Sequence, residues 1–200
     1  MQIYNCEQGS FEWIDLRSGR FTATDAGELY TNKKGLETVA LEKATYRLTK
    51  VPPDFFMTPA MARGKELEPH ARNTYKQVTG QEVQEVGFCV MDEYVGCSPD
   101  GLVGEEGLIE IKCKTGPHHL FAVINNWIDP KHYGQMQFQM LVTGRKWCDY
   151  VLYNPDFSEP IYIQTVKADP SYQADLLEGI SRGKTLISFY ENKFKECYTI

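Results

Sequence analysis

No Cys-x-x-Cys pair occurs among the six cysteines of this 200-residue chain, Cys6, Cys89, Cys97, Cys113, Cys148 and Cys197. Their scatter excludes a zinc ribbon or a cysteine-held iron–sulfur cluster and fits reduced, mostly buried thiols. His-x-x-x-His pairs and a glycine-rich phosphate loop are also missing, which leaves zinc hydrolysis and nucleotide-driven chemistry without support. No apolar run approaches the ~20 residues of a membrane span. The opening MQIYNCEQGS lacks the basic-then-apolar pattern of a leader, so a cytoplasmic location is expected. Positive charge is not in excess: the formal net charge is −6, which argues against bulk coating of a polyanion. A nuclease stays compatible with that balance, because its acids gather around metal ions while local Arg and Lys line the track. Repeats, low-complexity stretches and an interdomain linker are absent. One domain over 1–200 is the expectation, since a chain of this size buries roughly 70% of its unfolded surface.

What is present is concentrated between Cys97 and Lys114, CSPDGLVGEEGLIEIKCK. Side chains alternate faces along a strand, so Glu110 and Lys112 share one face while Ile109, Ile111 and Cys113 take the other. Asp100 sits in a Ser-Pro-Asp-Gly turn and folds back beside them if the two arms pair as a hairpin. Two carboxylates and a lysine converging in this way suit phosphodiester hydrolysis with a divalent metal. Carboxylates hold Mg²⁺, the metal polarises the phosphate and acidifies a water, and the lysine steadies the nucleophile. A solvated hairpin face with a Glu–Lys pair is the competing reading.

Helices are expected at Ser10–Arg17, with Phe11, Trp13 and Ile14 to bury, from Thr24 or Asp25 onward, and from Gly35 to Leu48. Val51-Pro-Pro-Asp54 breaks the third. A long helix from Thr58 to Thr79 carries Glu68, with Gly64 and Pro69 as points for a bend. Strands are expected at Val83–Met91, Tyr94–Cys97 and Leu108–Lys114. Two helices follow, His118–Asn126 and Pro130–Val142, then a hairpin of Trp147–Tyr153 with Pro160–Val166, and a closing helix from Pro170 to Lys195. This order makes an α/β or α+β sheet sandwich. His118 and His119 read as surface residues at a helix start, since neighbours on a helix point about 100° apart and seldom share an ion. Trp13, Trp127 and Trp147 read as core or interface residues rather than base-stacking platforms.

Four segments, in order, resemble the phage-type alkaline exonucleases, the lambda exonuclease and YqaJ-type viral recombinase family. They are Trp13-Ile-Asp-Leu-Arg17 with Phe21-Thr-Ala-Thr24; Ala62-Arg-Gly-Lys-Glu-Leu-Glu68; Cys97-Ser-Pro-Asp-Gly-Leu102 with Gly107-Leu-Ile-Glu-Ile-Lys-Cys113; and Tyr133-Gly-Gln-Met-Gln137. Thr24 stands where the family often has Ser. The resemblance implies an α/β, restriction-endonuclease-like (PD-(D/E)XK) fold, a central mixed sheet flanked by helices. It implies metal ligation by Asp100, Glu110, the backbone carbonyl of Ile111, and Glu68 directly or through water. Lys112 would orient or deprotonate the attacking water, and Gln135 would touch the scissile phosphate or that water. Arg17, Thr24 and Ser98 would form a pocket for a 5′-phosphate. The cofactor would be Mg²⁺, with Mn²⁺ as substitute, as two ions per site about 4 Å apart.

The implied activity is 5′→3′ digestion of one strand from double-stranded DNA ends, leaving 3′ overhangs for phage or prophage recombination by single-strand annealing. A homotrimeric ring and a single-strand annealing protein come with the resemblance, in a bacterial cytoplasm and without a membrane. Residue by residue, plainer readings compete. Glu68 could form a solvated helix-face pair with Lys65 or Arg72. Gln135 could simply face solvent with His132 and Gln139, Arg17 could cap its own helix, and Ser98 could be a turn residue. Two other functions remain open on the same core: a restriction- or repair-type endonuclease, and a non-catalytic DNA-end-binding module.

Overall fold

The computed structural model describes residues 1–31, 35–53 and 57–198, and Asp54, the end of the expected break, lies outside them. The chain runs β1 (Gln2–Tyr4), α1 (Phe11–Ser18), a 3₁₀ turn (Ala23–Asp25), α2 (Ala26–Thr31), α3 (Gly35–Thr49), α4 (Pro59–Thr79), β2 (Val83–Gln84), β3 (Phe88–Val90), β4 (Gly96–Cys97), β5 (Gly101–Val103) and β6 (Gly107–Lys112). It continues with α5 (Gly116–Ile124), α6 (Pro130–Thr143), β7 (Trp147–Tyr153), β8 (Ile161–Lys167) and α7 (Pro170–Tyr198). Five strands form a mixed sheet in the order β2-β5-β6-β7-β8, and β1-β3-β4 form a separate antiparallel sheet.

The centre of the larger sheet is what places the site. β5 and β6 pair antiparallel, with Gly101 opposite Ile109, so the turn before Gly101 lies beside the last residues of β6. β6 runs parallel to β7, Glu110 opposite Tyr150 and Lys112 opposite Leu152, and α5 with α6 makes the crossover that parallel strands require. Both sheet faces are covered. Leu102, Leu108, Cys148, Tyr150 and Leu152 pack in the larger core, with Met136 and Met140 of α6 and Leu176 and Ile180 of α7. Val103, Ile109, Ile111 and Val151 form a smaller core with Ala71 and Tyr75 of α4. The near-continuous apolar run of β6 reflects this double burial.

Helix ends follow their residues. Ser10 caps α1 by accepting the Trp13 amide at 3.2 Å. Thr58 caps α4, and Gly80, with φ 68°, ends it. α4 is assigned as one helix through Gly64 and Pro69, and α7 runs unbroken through Gly183 to Tyr198, past the expected end at Lys195.

Several expectations need correction. Val83–Met91 is two strands in different sheets, because the chain turns aside at Gly87. There the backbone of Cys6 lies so close that an added Cβ would stand 2.1 Å from its carbonyl oxygen, and Gly87 donates its amide to Tyr4. β1, three residues long and without periodicity, was not expected from the sequence. Phe11 is 80% exposed rather than buried. His119 is buried against Phe157 instead of lying on the surface, with burial lowering its pKa, while His118 is exposed and bonds Thr115 at 2.8 Å. Trp127 is 38% exposed and is not a core residue.

Candidate active site

Glu110 projects from β6 into the larger-core side of the sheet and is almost fully buried. Burial of a carboxylate demands partners, and both its oxygens have one. Lys112, two residues on and therefore on the same face, donates its ammonium to Oε1 at 2.5 Å, and Gln139 of α6 donates its amide to Oε2 at 2.7 Å. Asp100 arrives from the turn before β5. Its Oδ2 accepts the backbone amide of Ile111 at 2.6 Å, where β5 has ended and no strand partner remains for that amide. Amide and carbonyl of one strand residue project to the same side, so the Ile111 carbonyl also faces the Asp100 side. Gly101 is required next door: a Cβ there would stand 2.2 Å from Val83 of β2, whose packing seats the turn.

Glu68 comes from α4. Arg72, one turn on, forms an ion pair with it and reaches further, to Glu85 at 2.8 Å and to the backbone oxygen of Asp100 at 3.1 Å. The expected Glu68–Arg72 pair therefore exists, but it is not a solvated one. Arg72 is 6% exposed and ties α4 to the Asp100 turn. Burial raises the Glu68 pKa most, Arg72 opposes, and Glu110 adds to the rise. Asp100 is pushed well above the usual carboxylate range by burial, then by repulsion from Glu110 and Glu68, against the pull of Lys112 and the Ile111 amide. Burial works against the Lys112 ammonium, yet Glu110 and Asp100 together raise its pKa. The two carboxylates thus favour the charged, donating form of Lys112. Protein surrounds Asp100 and Lys112, yet both keep an accessible edge.

Three carboxyl groups that repel one another in a confined space form a site that a divalent cation relieves. The hard oxygens that could hold such an ion are the carboxylates of Asp100 and Glu110, the main-chain carbonyl of Ile111, and the Glu68 carboxylate of α4. No group of three or more His, Cys, Asp or Glu side chains is gathered closely enough to cage an ion among the described residues.

The residues expected to hold a 5′-phosphate lie around Trp13. The Arg17 guanidinium stacks on the Trp13 ring, 4.2 Å from its centroid, and takes no hydrogen bond among the described residues. Burial lowers its pKa and Asp25 opposes. Capping of α1 falls to Arg20 instead, which donates to the Leu16 carbonyl at 2.5 Å. Trp13 donates its indole N–H to Ser98 Oγ at 2.8 Å, and the Ser98 hydroxyl in turn donates a hydrogen bond to the Gly87 carbonyl at 2.7 Å. Ser98 thus ties α1 to the turn before Asp100, and donation to a phosphate requires the Gly87 bond to be exchanged. Thr24 is exposed, its hydroxyl 2.9 Å from that of Thr22. A cavity of about 350 Å³ opens beside Trp13, lined among others by Ser10, Met57 and Lys65, the last one helical turn from Glu68.

Gln135 does not face solvent. It is buried, its Oε1 without a partner, and no hydrogen bond joins it to the carboxylates among the described residues. Gln139, one turn along α6, makes the contact to Glu110, and its own Oε1 is unpartnered too. Gln137 on the opposite side bonds the backbone of Lys167 and Asp169 and is structural. Sequence reasoning gave Gln139 and Arg72 no part in the site. The i, i+4 spacings from Gln135 and Glu68 were the available signals.

A family model of the YqaJ-like viral recombinase domain matches residues 12–146. The chain belongs to that family. The matched span holds Arg17, Glu68, Asp100, Glu110, Lys112 and Gln139. Among solved structures, this YqaJ-like chain is similar to the alkaline exonuclease LHK-Exo from Laribacter hongkongensis, with 33% sequence identity and a TM-score of 0.86 over 94% of this chain and 97% of that one. The complex of LHK-Exo with dAMP matches to the same extent, at 33% identity, TM-score 0.86, and coverage of 94% and 97%. A phage-related exonuclease from Haemophilus somnus 129PT, 15% identical, shares the fold with a TM-score of 0.70 over 90% of this chain and 99% of that one. No curated protein matches the chain. The YqaJ-like chain therefore has the restriction-endonuclease-like fold of the alkaline exonucleases.

Proposed function

We propose that this chain is a Mg²⁺-dependent 5′→3′ exonuclease acting on double-stranded DNA ends and leaving 3′ overhangs. The reading rests on one observation above the others. Glu110, held by Lys112 and Gln139, stands beside an Asp100 carboxyl that Glu110 and Glu68 repel. Family membership and the likeness to an alkaline exonuclease support nuclease chemistry at that cluster. Bound Mg²⁺, with Mn²⁺ as substitute, would supply charge to the phosphate and acidify a water, two ions balancing the attacking and leaving oxygens.

The chain's own residues do the rest. Asp100, Glu110 and the Ile111 carbonyl hold the ion, and Glu68 adds a carboxylate from α4, aimed by Arg72. Lys112 points a protonated donor into the site, where it orients the nucleophile or offsets phosphate charge. Gln139 fixes Glu110, and Gln135 offers an unpaired amide oxygen from the same helix. Arg17, stacked on Trp13 with its donors free, suits a terminal phosphate, and this favours an end-directed enzyme over an endonuclease. The family resemblance extends the reading to a homotrimeric ring, which would hold DNA topologically where an acidic monomer has little electrostatic grip, and to a single-strand annealing partner.

Asp100→Ala and Glu110→Ala are expected to lower turnover by several orders of magnitude while circular dichroism stays that of a folded chain. Lys112→Ala should lose activity with Mg²⁺ affinity largely kept. Assays on linear and circular plasmids separate the alternatives: digestion of the linear form alone supports the exonuclease, nicking of the circle an endonuclease, and binding without cleavage a non-catalytic module. Near-normal Mg²⁺-dependent hydrolysis by Asp100→Ala would falsify the site.

A further inference from the structure

α5 leaves the active site directly, starting four residues after Lys112, and its outer face is apolar. Leu120, Phe121 and Ile124, one stripe of the helix, are 50, 53 and 71% exposed. The inner face is spoken for: Ala122 is buried, Val123 packs on the larger core, and His119 lies under Phe157. Trp127 extends the outer stripe. It is held there by the end of the helix. Asn126 takes the left-handed conformation at φ 49°, its amide bonds Val123 at 3.2 Å, and the Trp127 amide bonds Ala122 at 2.9 Å, a Schellman ending. Tyr162 pins the Asn126 side chain at 2.5 Å. These bonds set the Trp127 backbone, and its ring stands edge-on to Phe121 at 5.8 Å between centroids.

Charge completes the surface. Lys114 places its ammonium 5.3 Å from the Trp127 ring centre. Beyond the Lys112–Glu110 pair, residues 113 to 132 carry two lysines, Lys114 and Lys131, against one acid, Asp129, whose carboxylate accepts the Lys131 amide at 2.9 Å in capping α6. This is the reverse of the chain's net charge of −6. Lys114 is at most ~7 Å along the backbone from Lys112, so the aromatic pair lies within a few nucleotides of the reacting phosphate.

We propose that Phe121 and Trp127, flanked by the apolar Leu120 and Ile124 and with Lys114 beside them, form a stacking platform for the bases of a single DNA strand at the active site. This rests on the nuclease reading above. Exposed aromatics beside lysines, on an acid-poor stretch continuous with the catalytic strand, match the way proteins hold single strands without regard to sequence: rings for the bases and ammonium groups for the backbone. A second copy of this chain or a protein partner would have no need of the lysines.

The test uses the full chain in EDTA, with a fluorescein-labelled, 5′-phosphorylated dT12 strand and the same strand made abasic. Phe121→Ala should weaken dT12 binding by about 5- to 150-fold and leave the abasic strand unchanged, while Phe121→Trp keeps dT12 affinity. The sedimenting mass should not change. Hydrolysis of thymidine 5′-p-nitrophenyl phosphate with Mg²⁺, a substrate too short to reach the platform, should also stay at the wild-type rate. Unchanged dT12 affinity, equal loss on both strands, or a fall in sedimenting mass overturns the platform, the last by making the patch a contact between copies. If the wild type hydrolyses no phosphodiester, the nuclease reading fails, and the two-strand comparison still decides the platform.

Discussion

Arg17 is the residue whose chemistry is most exposed to test. Its guanidinium lies on Trp13 with no hydrogen bond among the described residues, and helix capping, the competing role, is already filled by Arg20. A guanidinium takes a terminal phosphate through two parallel hydrogen bonds. Arg17→Ala should therefore slow digestion of 5′-phosphorylated duplex by about 10- to 150-fold, the worth of one charge-assisted contact, and slow 5′-hydroxyl duplex far less. Side-by-side rates check this, and an equal, mild fall on both would leave Arg17 a packing residue. A second residue, His132 on α6, carries a pH signature. Burial, then Lys112 and Lys114, lower its pKa to about 4, and it bonds the Tyr150 hydroxyl at 2.7 Å. Between its ordinary value of 6.5 and about 4 the unfolded chain binds the proton and the folded chain does not. Stability must then rise with pH across that window and be lost as pH falls through it. His132→Gln keeps an acceptor for Tyr150 but cannot titrate, so its urea midpoint should drop less between pH 7 and pH 5 than that of the wild type.

At the scale of elements, the shared face of Glu110 and Lys112 was legible because strand geometry has a fixed period of two. The approach of Asp100 was expected only if two arms paired, and the arm that does pair, β5 at Gly101–Val103, is three residues long and was not among the expected strands. α4 was legible from its caps. What the sequence could not state is how far a helix slides along its neighbour. Gln135 and Gln139 occupy one face of α6, and only the depth at which α6 seats against β6 decides that Gln139 meets Glu110. Arg72 shows the same limit. Its spacing from Glu68 was visible, but its reach to Asp100 depends on α4 lying across the smaller-core face of the sheet. The break of Val83–Met91 into β2 and β3 was hidden for another reason, since it follows from Cys6, far away in sequence, pressing on Gly87. Arg72 also joins three segments, and its removal is a sharp test. Arg72→Ala should cost about 2–3 kcal/mol in urea denaturation, with a parallel loss of activity as Glu68 loses its orientation. An unchanged midpoint would mean that the ion pair on Glu68 does not hold α4 to the sheet.

For the molecule as a whole, a double-covered mixed sheet brings acidic groups to one rim, while the chain leaves that rim through Lys114 into α5, with Phe121 on the helix and Trp127 just beyond its end. The net charge of −6 is compatible with the proposed DNA substrate, because its sign is local: repelling carboxylates gather at Asp100, Glu110 and Glu68, and Lys114 stands at the start of the proposed strand path. No described helix is long and apolar enough to cross a membrane. Residues 12–146 of the chain match one family model, and that span includes every residue assigned to the site. Direction of digestion is the claim that joins the Arg17 pocket to the Asp100–Glu110–Lys112 cluster. It is measured with a linear 5′-phosphorylated duplex labelled on one strand, at the 5′ end in one preparation and at the 3′ end in another, with Mg²⁺ added to start the reaction. The account predicts that the 5′ label is released at once as a mononucleotide while the 3′ label stays on a shortening strand, and that neither is released without the metal or by Glu110→Ala. Early release of the 3′ label, internal cuts from the first time point, or undiminished release in EDTA would contradict it.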